Sequence, residues 1–295
     1  MKASYMKMME YNEFKMILNK NIFEHSKADL LEKIANSPSR YIGLFRPTKP
    51  KGKILQNLLQ SHEIRFGNAF EEVLEKYLGY MGFEILKKIY VDKNKGSNNI
   101  LCIDQCFRKG KKVYFLEQKV RDDHDSSKKR GQIKNFEEKL NIMLSNFSEK
   151  ELVGIFYFLD PELVKNKCYY ENELEAMKSD YNIETHLFYG GEIFKFLGYP
   201  SVWNEILDYL SQWKKEIPDM PEINFDIDYE NTFDEIKDLK PLIFRSLLTD
   251  DKIYNEIVCT LFPDGKTFRL LRQYFISKKN SIYERLVNLI DKRVK

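Results

Sequence analysis

The segment Val113-Tyr-Phe-Leu-Glu-Gln-Lys-Val120 decides the fold. It starts with four apolar residues, carries charges at Glu117 and Lys119, and follows a second apolar run, Ile100-Leu-Cys-Ile-Asp104. The basic Arg108-Lys-Gly-Lys111 between the two runs is typical of a hairpin tip. The sequence therefore predicts two antiparallel strands, with Asp104 at the end of the first strand and beside Glu117 on the second.

Alternating helical and strand patterns on both sides of this hairpin predict an α/β core. Apolar residues at helical spacing predict a helix over residues 66–81, which Gly82 ends. A helix over about residues 133–146 precedes the continuous apolar run Leu152–Leu159, which is typical of a strand buried on both faces. A strand, a helix and another strand imply a parallel crossover, and Ile183–Tyr189 predicts one further strand.

The chain outside this core is expected to be mostly helical. Residues 8–35 carry helical patterning, and residues 46–53 read as a basic loop with two prolines and a glycine. Phe83–Val91 predicts a strand and Asp92–Asn99 a polar turn. We expect four regions: an N-terminal helical region with a basic loop (1–60), the α/β core (61–215), an acidic linker or surface excursion (216–239) and a basic helical C-terminal region (240–295).

The distribution of charge along the chain indicates possible binding partners better than the net charge of +3 does. Residues 108–139 hold eleven Lys and Arg against six acids, and residues 240–295 hold twelve against six. Residues 214–238 reverse the balance, with nine acids and three bases. A polyanion would bind the first two regions and avoid the third, unless these clusters are simply solvated helix surfaces.

Several classes of protein are excluded by composition and motifs. The 295 residues are 43% hydrophobic, which is enough for a folded core of one large or two modest domains. No apolar stretch approaches the roughly 20 residues of a membrane span, and the first residues lack a signal-peptide core, so we expect a cytoplasmic protein without a membrane association. The sequence has no CxxC pair and no P-loop, so neither a zinc ribbon nor a nucleotide cofactor is expected.

The residue trio Asp104, Glu117 and Lys119 can carry phosphodiester chemistry. Strand side chains alternate, so Glu117 and Lys119 point to one face, and a hairpin can bring Asp104 beside them. Two carboxylates can hold Mg²⁺ through hard oxygen ligands, while the lysine orients or deprotonates a water or stabilises the transition state. The alternative is a set of surface charges on an edge strand, but the apolar residues before Glu117 favour a compensated site.

A fourth acid is expected from the helix over residues 66–81. With Phe70 set at 0°, the apolar stripe spans roughly −60° to +80°, and Glu71 falls at about 100°, at the edge of the stripe. Glu75 and Glu72 fall farther round, at about 140° and 200°. Glu71 is therefore the acid that faces the sheet, or else a solvated helix glutamate.

The polar segment 121–132 leaves the second hairpin strand directly. Its cations and amide can contact phosphates or base edges, and a loop there would lie along DNA if the trio is a nuclease site. Its three aspartates can accept from cytosine, pair with neighbouring cations or lie near the metal. The predicted DNA contacts in this segment are Arg121, His124, Lys128, Lys129, Arg130 and Gln132, and the earlier basic loop adds Arg46 and Lys49. His124 could also carry protons. The alternative is a flexible charged loop.

Together these residues resemble a known family. Gly67-Asn-Ala-Phe-Glu71 in an early helix, then Asp104, Glu117-Gln-Lys119 and the later Tyr189-Gly-Gly-Glu-Ile-Phe-Lys-Phe-Leu197 look like the PD-(D/E)XK nucleases, specifically type II restriction endonucleases. The resemblance covers about residues 62–198. Ile103 stands where many members have proline. The resemblance implies a restriction-endonuclease-like mixed β-sheet flanked by helices, with Asp104 and Glu117 as Mg²⁺ ligands, Lys119 as the catalytic lysine and Glu71 as a supporting acid.

The expected function is that of a type II restriction endonuclease, which cuts both strands of double-stranded DNA at a short sequence by Mg²⁺-dependent hydrolysis. A homodimer is expected if the target is palindromic, because a two-fold site matches a two-fold protein. The alternatives are a repair or junction nuclease on the same core and a non-catalytic DNA-binding protein.

Overall fold

The computed structural model describes residues 7–91, 100–148 and 151–294, and 60% of these described residues are helical. In chain order the helices are α1 Tyr11–Ile22, α2 Ser26–Asn36, α3 Ser39–Ile42, α4 Pro50–Tyr80, α5 Ser126–Leu144, α6 Lys167–Tyr181, α7 Glu192–Phe196, α8 Ser201–Glu216, α9 Tyr229–Ile236, α10 Pro241–Thr249, α11 Asp251–Ile253, α12 Cys259–Leu261, α13 Lys266–Ser277 and α14 Ser281–Arg293. A π-helical turn, Tyr254–Val258, joins α11 to α12.

The strands form a mixed sheet and a small separate ribbon. They are β1 Glu84–Ile85, β2 Ile89–Val91, β3 Ile100–Cys102, β4 Gln105–Lys109, β5 Lys112–Lys119, β6 Leu152–Phe158 and β7 Glu184–Tyr189. The five-stranded sheet has the order β1-β4-β5-β6-β7, antiparallel from β1 to β5 and parallel from β5 to β7. The predicted mixed sheet flanked by helices, with helical additions at both ends, is confirmed.

The parallel half of the sheet is buried as its sequence predicts. All seven residues of β6 are buried, because a strand with helices on both faces must be apolar throughout. On one face, Phe115 of β5 stacks on Phe136 of α5. A β-carbon at Gly154 of β6 would lie 3.0 Å from the Phe115 ring, so glycine allows this close packing.

The prediction that Ile100–Asp104 pairs with the Val113–Val120 strand is wrong. Ile100–Cys102 (β3) pairs with β2, whereas the true hairpin joins β4 to β5 through a turn at Gly110, which has φ +61°. Asp104 lies in a bend just before β4, so it is at the start of the hairpin and not at the end of its first strand. The chain bends there because the segments on either side pair with different neighbours.

The predicted polar loop 121–132 is also partly wrong. Helix α5 starts at Ser126, since the Asp125 side chain caps it by accepting a hydrogen bond from the Lys128 backbone N–H. Lys128 and the residues after it therefore lie on a helix. The sequence hides this start because the first apolar residue of α5 is Ile133.

Two other predicted boundaries change. The helix predicted over residues 66–81 is the second half of α4, which begins at Pro50 and thus takes in the end of the predicted loop 46–53. The strand predicted over Phe83–Val91 is split into β1 and β2, which belong to different sheets. The predicted turn Asp92–Asn99 lies outside the described residues.

The chain folds into two compact units. The first holds Gly67–Glu216 with the segment ending at Leu18, and includes the five-stranded sheet. The second holds Asn19–Phe66 with the segment that begins at Ile217, and has a helical core of its own. In the acidic stretch of this second unit, α9 buries Ile236. Within the described ranges, none of the helices has the length and apolar character needed to traverse a bilayer. The four-region division stays a prediction.

Candidate active site

The candidate site of the first unit is built around Asp104 and Glu117, which lie side by side. Because Gln105 pairs with Leu116 in the antiparallel hairpin, the residue before Gln105 lies opposite the residue after Leu116. The Oδ2 atom of Asp104 accepts a hydrogen bond of 2.8 Å from the backbone N–H of Gln118. This bond holds the Asp104 carboxylate against the edge of β5, beside Glu117.

Lys119 joins the two carboxylates. Its Nζ atom lies 2.5 Å from Glu117 Oε1 and 3.6 Å from Asp104 Oδ2, and it also donates to the Gln118 carbonyl oxygen at 2.8 Å. Gln118, between the two charged residues, points to the opposite face, where its side-chain amide donates to the Gly67 carbonyl of α4. The strand alternation thus brings the trio Asp104, Glu117 and Lys119 together, and their chemical roles stay a prediction.

Lys139 of α5 is the site residue that the sequence reasoning missed. Its Nζ atom lies 3.0 Å from Asp104 Oδ1 and donates a hydrogen bond to Glu117 Oε2. A signal for it exists in the sequence, since Lys139 falls three residues after Phe136 and beside Leu140 on the apolar stripe of the helix. A lysine in the middle of a buried stripe needs an anionic partner, and Asp104 and Glu117 are those partners.

Burial makes these charges interdependent. The Glu117 and Lys139 side chains are only 4% and 7% exposed, and Asp104 is 15% exposed. Burial by itself lowers the pKa of Lys139, but Glu117 and Asp104 raise it by more, so the pKa of the ammonium is raised overall. Lys119, at 28% exposure, is the member of the cluster most open to solvent.

Glu71 lies on α4, electrostatically coupled to the cluster. Burial first, and then repulsion by Asp104, raise the pKa of its carboxyl to about 7, against the opposing effect of Lys88 and Lys119. Glu75, one turn later, pairs with Lys88 at 2.7 Å. Glu71, Glu72 and Glu75 are all half-buried, so the ranking of the helix acids and the role of Glu71 stay predictions.

The segment after β5 contains a structural aspartate. Asp122 is fully buried and accepts hydrogen bonds from the Asn166 backbone N–H and side-chain amide, both at 2.8 Å, and from the Tyr189 hydroxyl at 3.0 Å. Asp125 caps α5. These two aspartates therefore hold the segment in place, and the buried Asp122 is not available to read cytosine, whereas Asp125 is exposed.

The predicted DNA contacts on this segment differ in exposure. Arg121, Lys128 and Arg130 are exposed, whereas Lys129 lies over the Tyr169 ring at 4.4 Å. The Gln132 side chain accepts a 2.6 Å hydrogen bond from the Tyr170 hydroxyl. Burial, and then Lys128, lower the pKa of the half-buried His124.

Arg46 and Lys49, the other two predicted contacts, belong to the second unit. Both are exposed in the loop between α3 and α4.

The carboxylates of the cluster offer hard oxygen ligands to a divalent cation, and the identity of that cation stays a prediction. In the described part of the chain no three His, Cys, Asp or Glu residues gather as a protein-saturated metal site would require. Mg²⁺ keeps several waters and is bound through one or two carboxylates plus substrate phosphate. Asp104 and Glu117, held within reach of the same two ammonium groups, are such a pair.

Comparison with known families identifies the chain. The sequence model of the family described as "Type II restriction endonuclease, HinfI" matches residues 10–84 and 80–214. This range includes Glu71, Asp104, Glu117, Lys119 and Lys139. No curated protein matches the chain. Since the matched ranges span more than half of the sequence, the protein belongs to the HinfI family of type II restriction endonucleases, which are DNA endonucleases.

Proposed function

We propose that this restriction enzyme cuts both strands of DNA at a short specific sequence by Mg²⁺-dependent hydrolysis at Asp104, Glu117 and Lys119. One observation carries the proposal: two carboxylates from a hairpin share the same lysine ammonium at 2.5 and 3.6 Å, at the carboxyl end of a central sheet strand. Buried carboxylates in this arrangement need nearby cations to compensate their charge. Cations at such a site can also stabilise the negative charge that develops in phosphodiester hydrolysis.

The carboxylates and the two lysines of the cluster have different tasks. Asp104 and Glu117 hold the metal ion. Bound there, Mg²⁺ supplies positive charge that acidifies water and stabilises the negative charge developing on the phosphate. Lys119, the more exposed ammonium, orients the attacking water and donates to the phosphate oxygens. Lys139 acts as a positioning residue, because it bonds both carboxylates from the helix behind them.

Glu71 has a supporting role as an acid beside the cluster. In the metal-free protein, burial first and then Asp104 raise the pKa of its carboxyl to about 7, so Glu71 adds less negative charge beside the cluster at neutral pH than an ordinary glutamate would. Its neighbours Asp104 and Glu117 help to keep this pKa raised, so the task of Glu71 depends on the same cluster.

The surface that follows the site binds the DNA backbone. Arg121, Lys128 and Arg130 are exposed and bind phosphates or guanine edges, while Lys129, Gln132 and His124 add contacts from less exposed positions. Arg46 and Lys49 add phosphate contacts from the second unit. If the target is palindromic, two copies of the chain bind it as a homodimer.

Incubation with plasmid DNA tests the proposal. The wild-type protein should produce discrete fragments with Mg²⁺ and none with EDTA, and sequencing the fragment ends should reveal one short motif. Asp104→Asn should abolish cleavage, although its amide oxygen can still accept the Gln118 N–H. Smeared products or nicks selective for DNA structure would instead indicate a repair or junction nuclease. DNA binding without cleavage in any metal would indicate a non-catalytic binding protein.

A further inference from the structure

A turn in the second unit exposes two large apolar side chains at its tip. The Arg46 backbone N–H donates to the Gly43 carbonyl at 3.2 Å, which closes a turn with Leu44 and Phe45 at the two central positions. These side chains are 90% and 102% exposed. Single exposed apolar residues are ordinary on protein surfaces, but two adjacent ones at the tip of a turn form a protruding apolar wedge.

The wedge lies on a short connection between two helices that each bury a side chain near it. It lies in the seven residues 43–49 between α3 and α4. Tyr41 on one side and Ile54 on the other are buried in the core of this unit. A β-carbon at Gly43 would lie 2.5 Å from the Ser39 carbonyl oxygen, so only glycine permits the close approach of the turn to α3. The tip is therefore held out from the unit by the packing beneath it.

All charged residues of the chain segment around the wedge are Lys or Arg. From Lys33 to His62 the sequence has six Lys and Arg and no Asp or Glu. Arg40, Arg46, Lys49 and Lys51 of this set are exposed. An apolar tip flanked in sequence by exposed cations is complementary to a duplex, whose phosphates flank an apolar base stack. A second copy of this chain would bring a like-charged surface against it, which is unfavourable.

We propose that Leu44 and Phe45 form a DNA wedge, which enters a groove of the duplex and inserts the Phe45 ring against an unstacked base step. Arg46 and Lys49 then bind the phosphates on either side of that step. Architectural DNA-binding proteins insert apolar side chains in this way and bend the duplex as they do so. The inference deepens the proposed function, since it rests on DNA as the substrate and assigns how this unit contacts it.

Phe45→Trp reports insertion directly. The probe is a labelled duplex recovered by the wild-type protein from a random-sequence pool, studied in EDTA so that no strand is cut. We expect the added tryptophan emission to fall when this duplex is added and to become protected from acrylamide, as stacking on bases requires. The wild-type protein, which already has Trp203 and Trp213, supplies the background.

Affinity measurements separate the wedge from the cations. Leu44→Ser with Phe45→Ser should weaken binding by about fivefold or more, the loss expected for one base–aromatic stack, without changing the salt dependence. Arg46→Gln with Lys49→Gln should lower the slope of log K against log salt by about 0.9 for each phosphate that is no longer neutralised. Leu242→Ser, which removes a 68% exposed leucine elsewhere in the unit, is the matched control and should bind as the wild type does.

Other occupants of the wedge would give different results. Emission of the Phe45→Trp protein that changes with protein concentration but not with DNA would indicate a second copy of the chain. A response to anionic phospholipid vesicles but not to the duplex would indicate a membrane surface. Either result overturns the proposal, as does unchanged affinity in the double-serine variant. If the wild-type protein recovers no duplex from the pool, the proposed function fails as well.

Discussion

Lys139 and Glu117 form a buried ion pair that ties helix α5 to the strand carrying the proposed catalytic residues. The same ammonium lies 3.0 Å from Asp104 Oδ1, so Lys139 and Lys119 together balance two carboxylates that would otherwise repel each other. Removing one partner of a buried pair leaves an uncompensated charge, which costs more than a surface pair contributes. The cluster thus serves the fold as well as the proposed chemistry.

Lys139→Met should destabilise the protein by about 3 kcal/mol, because it removes the buried one of the two lysine partners of Asp104 and Glu117. Urea unfolding in EDTA measures the loss. Lys134→Met, an exposed lysine on the same helix, is the matched control and should change stability by less than about 0.5 kcal/mol. Adding Glu117→Gln to Lys139→Met should recover part of the loss, since one buried charge is then removed.

Added Mg²⁺ should raise the melting temperature of Lys139→Met by more than it raises that of the wild type. The physical reason is that the carboxylate pair of the variant has lost one of its own cations, so a bound metal ion offsets more repulsion. Thermal unfolding with and without MgCl₂ checks this. An equal shift in both proteins would argue against Mg²⁺ binding at Asp104 and Glu117.

Lys119→Met should lower the rate of DNA cleavage by about 100-fold or more while leaving DNA affinity within a few-fold of the wild type. A group that acts mainly in the transition state contributes to the rate and little to ground-state binding. Lys112→Met, at the opposite end of β5, removes a lysine that pairs with Glu184 and is the matched control. Cleavage by Lys119→Met at the rate of the control would remove Lys119 from the mechanism.

Asp122→Ala should cost about 2–4 kcal/mol of stability, since it strands the Asn166 donors and the Tyr189 hydroxyl in the interior. Asp123→Ala changes the neighbouring exposed carboxylate and should cost less than about 0.5 kcal/mol. Chemical denaturation of both variants makes the comparison. Equal stabilities would mean that Asp122 is not the anchor of this segment.

Glu71→Gln should become more stable relative to the wild type as the pH rises from about 4.5 to about 7. The folded protein holds the Glu71 proton up to a pKa of about 7, whereas the unfolded chain releases it near the ordinary glutamate pKa of 4.5, so wild-type stability falls across this window. Solvent access to the carboxyl limits the difference to the order of 1 kcal/mol.

Unfolding at several pH values in EDTA checks the Glu71 prediction, with Glu72→Gln on the same turn as the matched control. A Glu71→Gln variant whose stability runs parallel to the wild type at every pH would contradict the raised pKa of this carboxyl.

The local periodicity of the sequence was sufficient to predict a buried strand and the direction of several side chains. The apolar run Leu152–Leu159 predicted a central buried strand, and alternation along β5 predicted that Glu117 and Lys119 share a face. Both inferences need only the geometry of one strand, in which neighbouring side chains point to opposite sides. The place of Glu71 at the edge of the α4 stripe follows in the same way from the pitch of a helix.

Tertiary structure decided the rest. Asp104 comes to Glu117 from a bend before β4, because β3 pairs with β2 and leaves the sheet, and no local pattern reveals which strands pair. Lys139 reaches the same carboxylates only because α5 packs across β5 after the chain has turned back. The sequence by itself determined which faces are apolar and which residues can bind a cation, while long-range packing decided which of those residues meet.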